Sequence, residues 1–407
     1  MIKTKLFSYN IGNAAEIIKN GGLVAVPTET VYGLAADGLN AEAVEKIYEV
    51  KGRPSVKPLA LMVSSSDEFS RYCADVPHQA TALAKRFWPG PLTIVMKANK
   101  TVPDIVLAGG STVGLRCPDS DLTLQLIREA GVPLAAPSAN PSGSKSPNSA
   151  AEVLDYFDGL IDVVIDGGVC SLGVASTLID MSAVPYKILR QGALPEAAIK
   201  KALADDLKVI GITGGSGSGK TTALNCLRAL GALVIDCDAL YHDMLRSDAE
   251  LKAAVGERFP EAVATDGEIN RKALAATVFG NAAALNDLNC ITHAFIARRI
   301  REKLEDYAFS GGMIAALDAV ELLASELSSV CDHTVAVVSD REKRIERIMQ
   351  RDNISREDAA RRIDAQKSDE YYISNCSYVL VNNSSFEEFE NKCNEYFGGL
   401  FCERYQK

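Results

Sequence analysis

Along the chain, apolar residues follow two alternating spacings. At 11–20, Ile11, Ala14, Ala15, Ile17 and Ile18 recur at helical intervals and predict an amphipathic helix that Gly21-Gly22 ends. Residues 23–26 are continuously apolar and predict a buried strand. A helix is expected at 41–50, and further short apolar runs follow, with Ser, Thr and Arg at their ends. A charged helical segment at 194–206, with Pro195 at its start, interrupts this series. Beyond it, strand-like runs at 208–213, 232–238, 313–318 and 334–338 alternate with helical spacing at 222–230, near 298–303 and at 341–351. Short strands interleaved with helices predict an α/β protein, and the interruption predicts two domains, 1–205 and 206–407.

Bulk properties narrow this only slightly. At 407 residues the chain is too long for one ordinary core. No apolar stretch approaches the roughly 18 residues of a membrane span, and the start, MIKTKLFSYN, lacks a signal-peptide core, so no membrane and a cytoplasmic location are expected. Ten cysteines with no C-x-x-C spacing are expected to be reduced and mostly buried. The net charge of −10 is uneven: 19 Lys and Arg face 20 Asp and Glu up to Ala204, against 24 and 33 beyond it. An acidic second half disfavours stable DNA binding, while the near-neutral first half stays open to an RNA partner.

The sharpest local signal is GGSGSGKT at 214–221, a G-x-x-x-x-G-K-T phosphate loop between the apolar run KVIGIT and a helical pattern. Its glycines let backbone N–H groups curl around phosphate, so Gly215, Ser216, Gly217, Ser218 and Gly219, with Thr222, are candidate ATP contacts. Lys220 would reach the β- and γ-phosphates and Thr221 a magnesium ion. A flexible Gly/Ser linker has this composition too, but needs neither the Lys-Thr ending nor the apolar run before it.

In the first half, polar clusters accumulate beside the apolar runs: PTETVYGL at 27–34, KGRPSVKPL at 51–59, STVGLRCP at 111–118, APSANPSG at 136–143, STLID at 176–180 and LRQGA at 189–193. Lys51, Arg53 and Lys57 crowd within seven positions around Pro54 and Pro58, which suits a polyphosphate, and the repeated placement predicts one composite pocket. These motifs, in this order, resemble the YrdC-like family of threonylcarbamoyl-AMP synthases over residues 8 to 195. The resemblance implies a twisted mixed-sheet domain joining L-threonine, bicarbonate and ATP into threonylcarbamoyl-adenylate and pyrophosphate, for a modified adenosine in tRNA, with transient contact to the tRNA-modification machinery. It implies that Thr30, Arg116, Ala136 and Ser176 hold threonine. Arg53, Lys57, Thr112, Ser138, Ser146 and Arg190 would hold ATP, with Lys51 close to the phosphates; Lys51 and Arg53 are the catalytic candidates. Met62 stands where some members carry a histidine. The extra C-terminal domain of longer relatives is not expected, since the phosphate-loop unit begins at once.

In the second half, VIDCDAL at 234–240 is expected to set Asp236 and Asp238 on one face of a strand end beside the loop, where a carboxylate can hold magnesium or take a proton. Capping of the next turn is the bland alternative for each. Asp318 ends a buried strand as a Walker-B acid would, and Arg344, Arg347 and Arg351 repeat along one helix, with Arg361, Arg362 and Gln366 expected on the next. With NRKALA, LNCITH, RIMQRD and ARRIDAQ, these pieces resemble dephospho-coenzyme A kinase. That implies an α/β/α three-layer phosphate-loop fold with a helical lid, and ATP-dependent phosphorylation of the ribose 3′-hydroxyl of dephospho-coenzyme A. Asp238 would be the base, Lys220 and Arg347 catalytic, Arg351 an ATP contact, and Thr221, Asp236 and Asp318 the Mg2+ ligands. Two departures accompany this: His293-Ala294 replaces a His-Pro pair, and Ala324 falls where a glutamate is expected, with Glu321 or Glu326 as stand-ins. The competing readings are a non-catalytic RNA- or nucleotide-binding first half and a degenerate, nucleotide-sensing second half.

Overall fold

A computed structural model describes residues 3–8, 10–319, 322–324 and 326–405. Glu321 lies outside the described residues, as do the side chains of Ala324 and Glu326. The chain divides into two compact units: Met1–Asp205 with Phe309–Gly311, and Asp206–Ala308 with Gly312–Lys407.

Ten strands of the first unit are described: β1 (Lys5–Phe7), β2 (Val24–Val26), β3 (Gly33–Asp37), β4 (Ala60–Met62), β5 (Leu92–Lys97), β6 (Thr112–Arg116), β7 (Leu134–Ala135), β8 (Val163–Ile165), β9 (Thr177–Asp180) and β10 (Lys187–Arg190). They form one mixed sheet in the order β1-β8-β2-β3-β7-β4-β6-β5-β9-β10. The amphipathic helix Ile11–Lys19 buries Ile11, Ala14, Ala15 and Ile18 against it, beside Leu124, Leu126 and Ile127 of helix Asp121–Ala130. Side-chain caps define several helix starts: Asn40, Ser120 and Ser149 each accept a first-turn N–H.

The second unit contains β11 (Lys208–Thr213), β12 (Leu233–Asp236), β13 (Ile314–Asp318), β14 (His333–Val338) and β15 (Tyr378–Val381), all parallel, in the order β12-β13-β11-β14-β15. Alternation along β14 explains the layering. Val335 and Val337 join a core with helices Lys220–Ala229 and Phe386–Tyr405, whereas Ala336 and Val338 pack with Tyr372 of helix Asp369–Asn375. Helices therefore cover both faces, as burial of a parallel sheet requires. Helices between 237 and 309 share a separate apolar cluster around Leu251, Val255 and Phe259, and helices Arg341–Asp352 and Arg356–Asp364 share another around Ile345, Ile348 and Ile363.

Two local expectations change, at Asp238 and Gln366. The strand ends at Asp236, and Asp238 sits in the first turn of helix Cys237–Ser247, because Asp236 caps that helix by accepting Ala239 N–H at 2.8 Å. His293 lies inside helix Ala282–Phe309; Ala294 keeps the N–H and avoids the ring that make proline a helix breaker, so the helix continues. Gln366 follows helix Arg356–Asp364 instead of belonging to it. Among the described residues no helix is long and apolar enough to cross a membrane, and all ten cysteines are free thiols.

Candidate functional site

In the first unit a cavity of about 460 Å3 opens across β3, β4, β5, β6, β9 and β10 and the loops beside them. Thr30, Arg53, Lys57, Thr112, Arg116, Ala136, Ser138, Ser146, Ser176 and Arg190 all line it, as does Met62. Strand direction explains part of this convergence. β6 runs antiparallel to β5 and β5 parallel to β9, so the end of β6 at Arg116 meets the start of β9 beside Ser176, with Thr93 of β5 between them.

The hydroxyls are already ordered by their partners. Thr28 Oγ1 donates its single hydrogen to Val31 O at 2.6 Å, so in the 2.9 Å contact between the two hydroxyls Thr30 is the donor. Thr30 Oγ1 then keeps lone pairs for a donor on a ligand. Ser176 Oγ accepts Arg190 Nη2 at 3.1 Å and shares 2.8 Å with Thr93 Oγ1. Arg190 also donates Nε and Nη2 to Ser176 O at 3.1 and 2.9 Å.

The cations are crowded. Burial lowers the Arg190 pKa first, and the nearby charges of Arg116 and Arg53 lower it further. Crowding of this kind is unfavourable until a polyanion enters, so the cavity is electrostatically prepared for one. Arg53 closes the 51–59 loop on itself through Lys57 O (3.3 Å) and Pro58 O (3.0 Å), and Tyr48 Oη donates to Lys57 O at 2.9 Å. Lys51 is buried, does not itself line the cavity, and donates Nζ to the carbonyls of Ser138 and Asn140, the first of which lines it. Burial, then the charge of Arg53, pushes its pKa down to about 8.

Sequence reasoning missed Thr93 and Glu29. Thr93 was hidden in the apolar run LTIVM, where the signal was one hydroxyl among apolar residues; in the fold it is buried beside Leu92, Ile94 and Val95. Glu29 lies within the PTETVYGL stretch, but its partner Arg116, 2.8 Å away, is distant in sequence.

In the second unit the phosphate loop joins β11 to helix Lys220–Ala229, which begins two residues earlier than the spacing suggested. Gly214, Gly217 and Gly219 all have positive φ, at 139°, 75° and 111°. The loop is braced from outside. Arg344 donates Nε to Ser216 O at 2.9 Å, Arg347 donates Nη1 to Gly217 O at 3.2 Å, and Asn382 donates Nδ2 to Ser218 O at 2.8 Å. Gln366 Oε1 accepts Ser216 N–H at 2.8 Å, and its Nε2 donates to Ser216 Oγ at 2.8 Å. Arg344 is buried and paired with Asp369 at 2.9 Å. Arg351 is turned to Asp352, whose carboxyl it holds down at about 2. Lys220 donates to Gly214 O at 2.6 Å, and burial lowers its pKa.

The acids meet as their strands pair: Asp236 and Asp318 are in register on β12 and β13. Burial raises the Asp318 pKa while the Lys220 charge opposes the rise. With the hydroxyl of Thr221 these are oxygen donors, which fit Mg2+ as an ion that keeps several waters and shares substrate phosphates. Among the described residues no group of three or more His, Cys, Asp or Glu could hold a metal alone.

Residues 16–192 match the Sua5/YciO/YrdC family model, described as telomere recombination, and residues 208–388 match that of dephospho-CoA kinase. The threonylcarbamoyl-AMP synthase of Pyrococcus abyssi is 43% identical over 204 residues, half of this chain and 60% of that one. The threonylcarbamoyl-AMP synthase of Halorhodospira halophila is 36% identical over 159 residues, 39% of this chain and 83% of that one. The chain belongs to the threonylcarbamoyl-AMP synthase family. It spans 50% to 60% of the length of the synthases from Pyrococcus abyssi, Bacillus subtilis and Schizosaccharomyces pombe. Unlike a synthase domain alone, this family member carries a second region of dephospho-CoA kinase type. A dephospho-CoA kinase structure from Campylobacter jejuni overlaps 49% of this chain and 98% of its own at 23% identity and a TM-score of 0.33.

Proposed function

We propose that the chain is a bifunctional enzyme: a threonylcarbamoyl-AMP synthase in residues 1–205 and a dephospho-CoA kinase in 206–407. Family membership and the cation-rich, hydroxyl-lined cavity support the first activity. Threonine's amine condenses with bicarbonate, releasing water; an oxygen of the resulting carbamate attacks the α-phosphorus of ATP, and pyrophosphate leaves. The protein positions these groups: Arg116 and Thr30 meet the amino acid, with Ala136 and Ser176 shaping its site, while Arg53, Lys57, Thr112, Ser138, Ser146 and Arg190 meet ATP. Lys51 supports the phosphate end from behind, through the carbonyls beside Ser138.

The kinase match and the braced loop support the second activity. Loop N–H groups and Lys220 would hold the ATP phosphates, Asp238 would take the 3′-hydroxyl proton, and Arg347 would neutralise transferred charge. Mg2+, held by Thr221, Asp236 and Asp318, would offset charge on the β- and γ-phosphates when bound. We place both activities in the cytoplasm, with the adenylate passed to tRNA-modification proteins.

The test uses the full chain. ATP, L-threonine and bicarbonate should together release pyrophosphate, and ATP with dephospho-CoA should yield ADP. Omitting threonine or bicarbonate should stop the first reaction only. Pyrophosphate release that does not depend on threonine defeats the synthase reading, and ADP formation that does not depend on dephospho-CoA defeats the kinase reading.

A further inference from the structure

Glu29 and Arg116 are both more than nine-tenths buried, and their contact is unusual. Arg116 Nη2 lies 2.8 Å from Glu29 Oε2, yet the alignment is that of an ion pair and Nη2 has no hydrogen-bond partner among the described residues. Glu29 Oε2 also accepts the backbone N–H of Asp119 at 3.1 Å, while Oε1 is buried with no partner among the described residues. Arg116 Nε donates to Gly90 O at 3.3 Å. Nε and Nη2 thereby each face an oxygen of the protein, whereas Nη1 has no partner among the described residues, and Arg116 lines the cavity.

Glu29 is itself fixed at its backbone. Its carbonyl accepts Leu172 N–H at 2.8 Å and the Ser171 hydroxyl at 3.4 Å. A buried ion pair gives little stability over a well-packed apolar pair, so stability alone is a weak reason for two buried charges here. An apolar pair cannot present a guanidinium nitrogen at a set angle.

We propose that Glu29 is a positioning residue for the amino-acid site: it anchors the Nη2 side of Arg116 so that Nη1 meets the carboxylate of an α-amino acid. Glu29 touches no reacting atom and acts only through Arg116. This inference rests on the reading that the first unit binds threonine.

The test measures pyrophosphate release by the full chain for wild type, Glu29→Gln, Glu29→Asp, Arg116→Ala and the double variant Glu29→Gln/Arg116→Ala. Glu29→Gln should raise the KM for threonine by about tenfold and leave the KM for ATP within about twofold, the separation expected when one substrate's anchor is misplaced. Glu29→Asp should recover part of the loss. In the Arg116→Ala background, Glu29→Gln should add no further loss in kcat/KM for threonine, because its effect passes through the missing guanidinium. An unchanged threonine KM, equal rises in both KM values, or additive losses in the double variant would each overturn the proposal. A wild-type chain with no threonine-dependent pyrophosphate release would instead overturn the synthase reading beneath it.

Discussion

Lys51 shows how burial changes the task of a cation. Its ammonium holds two carbonyls in place, and its pKa of about 8 lies below the ordinary 10.5 because burial disfavours the charge. The unfolded chain binds this proton more tightly, so between about pH 8 and 10.5 the unfolded state carries more protons and stability should rise with pH. The gain relative to Lys51→Met should reach at most ~3 kcal/mol, read as the difference between urea titrations of the two chains at each pH. Equal pH slopes would show that Lys51 is not the group responsible. The sequence grouped Lys51 with Arg53 and Lys57 as cations close to the phosphates, since three cations around two prolines look alike in a linear pattern. Only the fold separates them: Arg53 and Lys57 face the cavity, while Lys51, at the end of helix Ala41–Lys51, turns to the 138–140 carbonyls.

At the level of the element, the phosphate loop depends on side chains that its own motif does not contain. Arg344, Gln366 and Asn382 reach it from 128, 150 and 164 residues away. These partners also explain why glycine is needed: a Cβ on Gly215 would fall on Arg344 Nη2, and one on Gly219 on Asn382 Nδ2. Gly215→Ala should therefore destabilise the second unit by ~2 kcal/mol, measurable by urea unfolding, and weaken ATP binding in an equilibrium titration. Asn382→Ala removes the donor to Ser218 O and should cost ~1 kcal/mol with a smaller effect on ATP. The loop was legible in the sequence because phosphate cradling is local in the chain, whereas its bracing is not. Asp238 was misplaced as an element, because a run of apolar residues does not reveal that Asp236 caps a helix there.

For the whole molecule, the expected result is two activities that can be removed one at a time. Lys220→Ala should lower ADP formation by about a hundredfold and leave pyrophosphate release unchanged, since its ammonium belongs to the loop alone. Arg190→Met should do the reverse, raising the KM for ATP in the first reaction by about tenfold. Parallel steady-state assays on each full-length variant decide this, and a variant that damages both reactions equally would contradict separate sites. The two-unit fold was legible as a restart in the strand and helix pattern near 205.

The distribution of cysteines gives each unit its own chemical clock. Cys73 and Cys117 are buried in the first unit, and Cys226, Cys237 and Cys393 in the second, whereas Cys290 and Cys402 are exposed. Burial pushes Cys73 and Cys393 up to about 12, so neither reacts as a thiolate while its surroundings stay closed. A maleimide should therefore mark Cys290 and Cys402 at once and the buried thiols only as fast as each unit opens. Peptide-resolved labelling rates would then report how often one half of the enzyme breathes while the other stays shut.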